Sequence, residues 1–409
     1  VCLYPSIIFP VLPIDAETTS QAEQYHQKHL RWNYVFNFID GAAFWLGYSF
    51  ISPGVVLPLF VSHFTDNKIL IGAIAMISTG GWFLPQLFTS NWIEQVSVKK
   101  NITVRLGFLT ERIPVFLLPI SAAISFVSPG LALVSFYLVF AWHVFGSGVV
   151  AVAWQDMIAK IIPLNRRGLF VGVTTLGGNA TGVVGALIAA RLLDAFAFPK
   201  GYTINFIIAA VLIFISWAAL ALVKEFPIKN PNPPKSNREY FHSLPRILKL
   251  DPNFRWFLFG QVLYSLAGMS WGFLAVYTSQ RFSLSDGETG LFFTWLLVGQ
   301  SIGNLLGGIA GDRFGYKKVM VAGVVIGVIT LAITTWIPSE SWMILVYLLR
   351  GLNMGLAWLA SFIVLEFGKP EIRPTYIGVN NSLTGLSAMI APLLGGVIAQ
   401  ASGYRWLFG

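Results

Sequence analysis

Long apolar stretches separated by short polar connections are the dominant pattern along this chain of 409 residues. A helix needs about 20 apolar residues to cross the hydrocarbon core of a bilayer. The stretches that reach this length are numbered here as spans one to eleven: 34–62, 69–91, 104–127, 131–157, 168–193, 203–223, 256–279, 288–310, 319–337, 341–366 and 376–401. Their hydropathy does not alternate over about ten residues, as it does in membrane barrel strands. The pattern therefore predicts an all-α integral membrane protein, because a helix satisfies its own backbone in lipid.

The ends of the chain indicate a further span. The sequence starts at Val1 and stops at Gly409, where the run Tyr404-Arg-Trp-Leu-Phe-Gly409 resembles the start of another helix. We therefore expect eleven spans of an original twelve, with the last helix truncated.

The net charge of +9 follows the membrane topology and is not gathered on one soluble face. If the N terminus lies inside, lysine and arginine concentrate in alternate loops, whereas the opposite loops hold few of them. The positive-inside rule then fixes this orientation, with the cytoplasmic (inner) membrane of a prokaryote as the expected location. The lipid bilayer is the predicted surrounding, and no nucleic-acid partner is expected.

Catalytic and cofactor chemistry find no support in the sequence. Cys2 is the only cysteine, the five histidines are scattered, and no phosphate-binding loop is present. We expect neither an enzyme nor a bound cofactor or metal.

One long polar segment divides the chain into two halves. It is rich in proline and basic residues and separates six spans from the rest. We expect a cytoplasmic N-terminal tail at 1–32, a six-helix bundle at 33–225, a cytoplasmic linker at 226–254 and a second bundle at 255–409.

The two halves carry matching residues. At an offset of 218, Gly81 matches Gly299, and the run 94–100 matches 312–318. At an offset of 207, His143 matches Arg350. Such ordered matches indicate a duplicated six-helix unit.

The run Gly308-Ile-Ala-Gly-Asp-Arg-Phe-Gly-Tyr-Lys-Lys318 follows span eight. Together with the span count, the central linker and the Pro-x-x-Arg turns after spans four and ten, it resembles the cytoplasmic signature of the major facilitator superfamily. The resemblance covers nearly the whole chain. It implies two pseudo-symmetric six-helix bundles that move a small solute by alternating access, with a monomer as the functional unit.

The resemblance also implies a cytoplasmic gate motif, formed here by Gly308, Asp312, Arg313, Gly315, Lys317 and Lys318. Asp312 is expected to accept hydrogen bonds from the N terminus of span five when the cytoplasmic side is closed. Arg313 is expected to reach Asp156. The simpler alternative is a solvated loop that obeys the positive-inside rule. A degenerate first copy of the motif keeps Glu94, Lys99 and Lys100.

Glycines recur at helical spacing in spans five and eight. Gly299, Gly303 and Gly307 form a ladder in span eight, and span five offers Gly178 and Gly182. Small residues let helices approach closely in lipid. We expect spans five and eight to pack across the two halves, with static packing inside one half as the alternative.

Three polar residues within the spans are candidates for the solute and proton pathway. An arginine at the bilayer centre costs about 3 kcal/mol, so Arg350 should face a wet cavity or a partner. The resemblance implies that spans one, four, seven and ten line such a cavity. Arg350 would suit an anionic or strongly hydrogen-bonding solute, and His143 could carry a proton. The alternative for Arg350 is a structural tie to Asn353 or to a carboxylate.

Asp40 in span one is the third candidate, because a buried carboxylate can bind and release a proton. Its alternative is a contact with Arg31 or with lipid headgroups. Glu111 and Arg112 are adjacent in span three, and we expect them to join the loop network rather than a proton path.

The sequence thus predicts a secondary transporter coupled to H⁺. Ala391-Pro392-Leu-Leu-Gly395-Gly396 is similar to a proline- and glycine-containing element of antiporters in the family, which favours export. The alternative is a transporter-shaped protein without transport activity that acts as an assembly or sensing partner.

Overall fold

A computed structural model describes residues 16–94, 96–227, 251–357, 363–364, 367 and 373–409. Its α-helices are α1 (Ala16–Lys28), α2 (Leu30–Ser49), α3 (Val56–Ser62), α4 (Lys68–Glu94), α5 (Lys99–Asn101), α6 (Ile113–Ile124), α7 (Pro129–Ile161), α8 (Leu164–Ala195), α9 (Lys200–Ala221), α10 (Pro252–Ala267), α11 (Leu274–Phe282), α12 (Asp286–Phe314), α13 (Tyr316–Thr335), α14 (Trp342–Ala357), α15 (Arg373–Ser402) and α16 (Tyr404–Phe408). Two π-helical segments, Ile102–Leu106 and Phe108–Arg112, connect α5 to α6, and the 3₁₀ segment Gly268–Phe273 connects α10 to α11.

The helices follow the predicted spans. Among the described residues, nine continuous helical stretches are long and apolar enough to cross a membrane. Span ten is represented by the shorter apolar helix α14, and span one is divided into α2 and α3. Most of the predicted linker, 228–250, lies outside the described residues.

Spans one and seven are both interrupted, and at matching positions. The α-helix of span one is interrupted over 50–55, and that of span seven over Gly268–Phe273. The two segments are related by the same offset of 218 that aligns the repeats. Pro53 explains the first interruption, since proline lacks a backbone donor and disfavours a continuous helix. The shared position supports the interpretation of a duplicated unit.

Helix packing defines the interface between the halves. In the first half α2 packs on α8 and α9, and α7 packs on α4 and α6; in the second half α14 packs on α12 and α13. Among the described residues, the most extensive contacts between the halves are those of α4 with α15 and of α8 with α12, and α3 also contacts α11 and α12. Spans five and eight therefore do pack across the halves, as expected.

The glycine ladder has a different partner from the expected one. An added Cβ on Gly299 would collide with the carbonyl oxygen of Leu348 in α14, and one on Gly303 would lie 2.6 Å from that of Leu352. Both glycines thus serve packing inside the second half. A small-residue spacing shows that a close approach occurs, but the neighbour is decided by the bundle geometry.

The span-five glycines divide between two neighbours. An added Cβ on Gly178 would meet Trp45 of α2, whereas one on Gly182 would lie 3.4 Å from Leu297 of α12. Gly182 is therefore the one ladder glycine for which a contact across the halves is seen within the described residues. Gly307 is buried in α12.

The hydrophobic core differs between the two ends of the bundle. We call one end of the bundle the distal face; it contains 62–68, 194–203 and 282–288. We call the opposite end the basic face; it contains 94–100, 156–164, 221–227 and 312–318. Toward the distal face, one core cluster joins both halves, with Phe60 and Phe206 from the first and Phe273 and Tyr347 from the second. Near the basic face each described cluster belongs to a single half. The halves therefore share a hydrophobic core distally, whereas the described clusters at the basic face are separate.

Candidate functional site

Four ionisable residues of the first half form a buried group, which we call the acid–base cluster: Asp40, Glu111, Arg112 and His143. Their relative exposure lies between 2% and 7%. Asp40 Oδ1 accepts a hydrogen bond of 2.6 Å from the hydroxyl of Ser216 in α9. Asp40 is therefore buried and contacts α9 of its own half.

A close helix contact brings His143 into the cluster. A Cβ on Gly146 of α7 would collide with the carbonyl oxygen of Thr110, so only glycine permits this approach. One residue further along span three, the carbonyl oxygen of Glu111 lies 2.8 Å from His143 Nδ1. A carbonyl can only accept, so Nδ1 carries the hydrogen and Nε2 of the neutral imidazole is free to take a proton.

The role expected for Glu111 and Arg112 was wrong. Both side chains are buried and form an ion pair with each other, and the Arg112 guanidinium lies 5.8 Å from the centre of the Phe44 ring. The reason is the π-helical segment Phe108–Arg112, which changes the direction of side chains relative to a regular α-helix. The loop network predicted for this pair belongs to other residues.

Arg350 occupies a different kind of site in the second half. Its Nη1 donates to Asn353 Oδ1 at 2.5 Å, and its guanidinium lies 4.4 Å from the ring centre of Trp271. The hydroxyl of Tyr264 donates to the same Asn353 oxygen at 3.1 Å, and Asn353 Nδ2 donates to the Gly323 carbonyl at 2.8 Å. The tie to Asn353 named as an alternative is therefore present. We call Arg350, Tyr264, Trp271 and Asn353 the arginine site.

Solvent access separates the arginine site from the acid–base cluster. Asn353 is fully buried, but Arg350, Tyr264 and Trp271 are all partly accessible. None of the ion pairs found among the described residues includes Arg350. The arginine site thus presents a charged group, held by neutral partners, to accessible space.

The gate motif lies at the basic face without the contact expected for Arg313. Gly315 adopts φ +88° between α12 and α13, the left-handed region that favours glycine. Arg313, Lys317 and Lys318 are exposed, and an added Cβ on Gly308 would meet nothing within 4 Å. The side chain of Asp312 lies outside the described residues.

Asp156, the expected partner of Arg313, is held by the first half instead. Its Oδ2 lies 3.4 Å from Lys99 Nζ and 3.6 Å from Lys160 Nζ. Lys99 is buried, and its ammonium group also donates to the Ile93 carbonyl. The degenerate motif is thus engaged within its own half, although the side chain of Glu94 is outside the described residues.

Glu225 completes this group at the basic face, and sequence reasoning missed it. It accepts hydrogen bonds from the backbone N–H groups of Lys99, at 3.1 Å, and Lys100, at 2.7 Å. Lys160 Nζ lies 3.7 Å from it. Burial raises the pKa of Glu225, while the two backbone hydrogen bonds and Lys160 act in the opposite direction. Among so many basic residues, a single glutamate after span six gave no signal of this role.

The distal face carries a polar network across the halves that sequence reasoning also missed. His63 Nε2 lies 2.5 Å from Asp286 Oδ2, and the hydroxyl of Tyr202 donates to the same oxygen at 2.7 Å. The hydroxyl of Ser285 donates to Asp194 Oδ1 at 2.5 Å. We call these five residues the distal latch. They join the first half to the start of α12.

The amino-acid sequence is similar to that of known membrane transporters. A model of the Major Facilitator Superfamily matches residues 257–409. An uncharacterized MFS-type transporter of Methanocaldococcus jannaschii is 25% identical over 74% of this chain and 73% of its own length. The fosmidomycin resistance protein of Escherichia coli is 24% identical over 85% of this chain and 80% of its own length. An uncharacterized transporter of Saccharomyces cerevisiae is 30% identical, but the match spans 53% of this chain and only 33% of that protein.

Solved structures share the fold. A mutant form of the nucleoside transporter NupG superposes with a TM-score of 0.72 and 13% identity, covering 91% of this chain and 94% of that chain. The xylose transporter XylE from Escherichia coli gives a TM-score of 0.66 and 14% identity, covering 93% and 94%. At such identity the likeness establishes the fold alone. Family match, relatives and fold agree with the sequence motif: this chain is a multi-pass membrane protein with the major facilitator fold, its second half matches the model of that superfamily, and it is similar to transporters of that type.

Proposed function

We propose that the protein is a proton-coupled secondary transporter that moves a small solute by alternating access, with its basic face in the cytoplasm of a prokaryote. The observation that carries this proposal is the acid–base cluster, because ionisable groups inside a membrane bundle are costly and mark ion pathways.

Charge balance explains how the cluster could handle a proton. If Asp40 and Glu111 are ionised, the two carboxylates and Arg112 leave one negative charge in the bundle interior, with His143 neutral. One bound proton cancels that charge. Asp40 or Nε2 of His143 can take this proton, since Glu111 is already paired with Arg112. A cluster that is neutral only when loaded favours proton binding before the halves rearrange.

Alternating access is supported by the contrast between the two faces. The distal latch and a continuous hydrophobic core hold the halves together at one end. At the basic face the described cores are separate and Arg313 is exposed. This combination fits a conformation open toward the basic face. The gate motif would then engage only in the opposite conformation.

We propose export as the direction. The segment 391–396 lies in α15, where an added Cβ on Gly395 would lie 2.6 Å from the Met269 carbonyl oxygen and one on Gly396 would lie 2.9 Å from that of Lys68. It therefore packs close to the distal contact between the halves. The Escherichia coli relative is named for resistance to fosmidomycin, which is consistent with outward movement.

Proton movement in liposomes tests the proposal. The full-length protein would be reconstituted with an internal pH-sensitive dye and exposed to a panel of organic anions, sugars and amphipathic drugs. We expect a solute-dependent proton flux that Asp40→Asn abolishes while unlabelled solute still exchanges for labelled solute. Asp66→Asn, an exposed carboxylate at the distal face, is the matched control. Full proton flux in Asp40→Asn would contradict the coupling role.

A disulfide between the halves tests alternating access separately. An ideal Cβ on Gly290 lies 3.2 Å from the Cβ of Ala190, close to the separation of about 3.5–4.5 Å in disulfides. In a Cys2→Ser background, oxidised Ala190→Cys/Gly290→Cys should stop transport, and reduction should restore it. Each single cysteine variant serves as the control. Transport that continues in the oxidised pair would contradict opening of the distal face.

A further inference from the structure

Arg350 is unusual because spans seven to eleven offer it no counter-charge near the middle of the membrane. Spans seven, nine and eleven contain no aspartate, glutamate, lysine or arginine. In spans eight and ten the only acidic residues are Glu288, at the first position of one, and Glu366, at the last position of the other. Glu288 is engaged in the capping box of Ser285 at the distal end of α12. Spans seven to eleven therefore carry one positive charge, Arg350, away from their ends.

The geometry holds that charge in place without neutralising it. Asn353 is fixed by the Gly323 carbonyl and offers its oxygen to both Arg350 and Tyr264. An amide oxygen has two lone pairs, so these two donors saturate it. Arginine has five N–H donors; Nη1 donates to Asn353 and the guanidinium also interacts with the Tyr264 hydroxyl, so donors remain after both contacts. The remaining donors have a fixed direction because Trp271 covers one face of the guanidinium.

A carboxylate fits the donors that remain. The planar guanidinium matches a carboxylate through two parallel hydrogen bonds, and such charge-assisted pairs are strong. The bound anion would also cancel the isolated charge within the membrane. Trp271 and Tyr264, both partly accessible, offer ring surface to an apolar or planar body.

We propose that the arginine site binds the carboxylate of a monovalent organic acid, and that such acids are the solute class of this transporter. The assignment of these acids as the transported solute rests on the proposed transport function. Binding of the carboxylate at the arginine site can be tested without transport. In this arrangement the second half recognises the anion, and the acid–base cluster of the first half carries the proton.

Binding to the purified full chain in detergent tests the site. Thermal unfolding would be followed with benzoate, salicylate and hexanoate, with the neutral amides of the same acids, with benzylamine and with phenylphosphonate. We expect at least one carboxylate to raise Tm saturably while its amide does not. Arg350→Lys should weaken the apparent affinity at least about tenfold, since lysine cannot pair in the same planar way. Arg281→Gln, at the distal end of α11, should bind normally.

A second variant covers the case in which Arg350 variants do not fold. Asn353→Asp replaces the amide that contacts Arg350 Nη1 by a carboxylate, so the protein itself would supply the counter-ion of Arg350. The folded variant should lose carboxylate binding although Arg350 is still present. A purely structural Arg350 would instead leave binding unchanged in Asn353→Asp.

The outcomes separate this proposal from the transport proposal. Carboxylate binding that depends on Arg350, together with absent proton flux, would support the site and count against coupling. The site assignment is overturned if no carboxylate gives an Arg350-dependent shift, or if only the amides or benzylamine do. An Arg350-dependent response to phenylphosphonate alone would replace the carboxylate by another oxyanion and overturn the proposed solute class.

Discussion

The two halves of the helix bundle hold their membrane-embedded charges in opposite ways. In the first half Arg112 pairs with Glu111 inside a fully buried cluster. In the second half Arg350 contacts only neutral partners among the described residues and is partly accessible. His143 and Arg350 occupy matching positions of the predicted repeat, so the contrast concerns equivalent places in the two halves. The two halves thus differ in how they hold an arginine, with an internal ion pair in one half and, among the described residues, an unpaired guanidinium in the other.

The same contrast holds at the basic face. Lys99 of the degenerate motif is buried and reaches Asp156, and Glu225 accepts from the backbone of Lys99 and Lys100. The matching residues of the complete motif, Lys317 and Lys318, are exposed. The first half satisfies these charges internally, whereas Lys317 and Lys318 stay exposed and available for the gate contacts that we propose for the opposite conformation.

Replacement of the two arginines should break this comparison most strongly. Arg112→Gln leaves Glu111 buried without its partner, and loss of one partner of a buried pair costs about 3–5 kcal/mol. Arg350→Gln removes a charge that has no acidic partner, so we expect a loss of about 1 kcal/mol from one hydrogen bond. Unfolding of the purified chain in denaturant, followed by intrinsic fluorescence, measures both. Equal losses in the two variants would contradict the division between compensated and open charge.

Gly146→Ala should disturb only the first half. The added methyl group collides with the Thr110 carbonyl oxygen, forces α7 away from span three and weakens the contact between His143 and Glu111. Overpacking of this kind costs about 1–3 kcal/mol. Thermal unfolding and the pH dependence of proton flux should both change.

Gly130→Ala in the same helix is the matched control. An added Cβ at Gly130 meets nothing within 4 Å, so stability should stay the same or rise slightly. Similar behaviour of the two variants would argue against a special close approach at Gly146.

Features that depend on a polar or charged residue within an apolar run could be predicted from the sequence. Arg350, His143 and Asp40 stand out because each interrupts an apolar run, and the spans follow from the length of those runs. The fold class is confirmed for the same reason, since the apolar runs and the motif after span eight are long and specific signals.

Features that depend on packing or helix type were missed. The π-helical segment that buries both Glu111 and Arg112 has no simple sequence signal, so a regular helix gave the wrong role. The contact between His63 and Asp286 joins residues 223 positions apart, so no local sequence pattern predicts it. The ladder of Gly299 and Gly303 correctly indicated a close approach, but spacing along one helix does not identify the neighbour.

Glu225→Gln should give the smallest effect and sharpen the comparison at the basic face. Because burial raises the pKa of Glu225 above its ordinary value of 4.5, the folded chain holds this proton more tightly than the unfolded chain does. The contribution of this proton to the free energy of unfolding is fully present below pH 4.5 and is lost as the pH rises through the pKa of Glu225 in the folded chain. Tm measured in steps from about pH 5 to pH 8 should therefore fall with pH by a few degrees at most. Glu225→Gln, which stays neutral, should flatten that dependence, whereas the exposed Glu23→Gln should not. A Tm that instead rises with pH in the unmodified chain, and loses that rise in Glu225→Gln, would mean that Lys160 and the two backbone donors outweigh burial, so that the first half stabilises this carboxylate in its charged form.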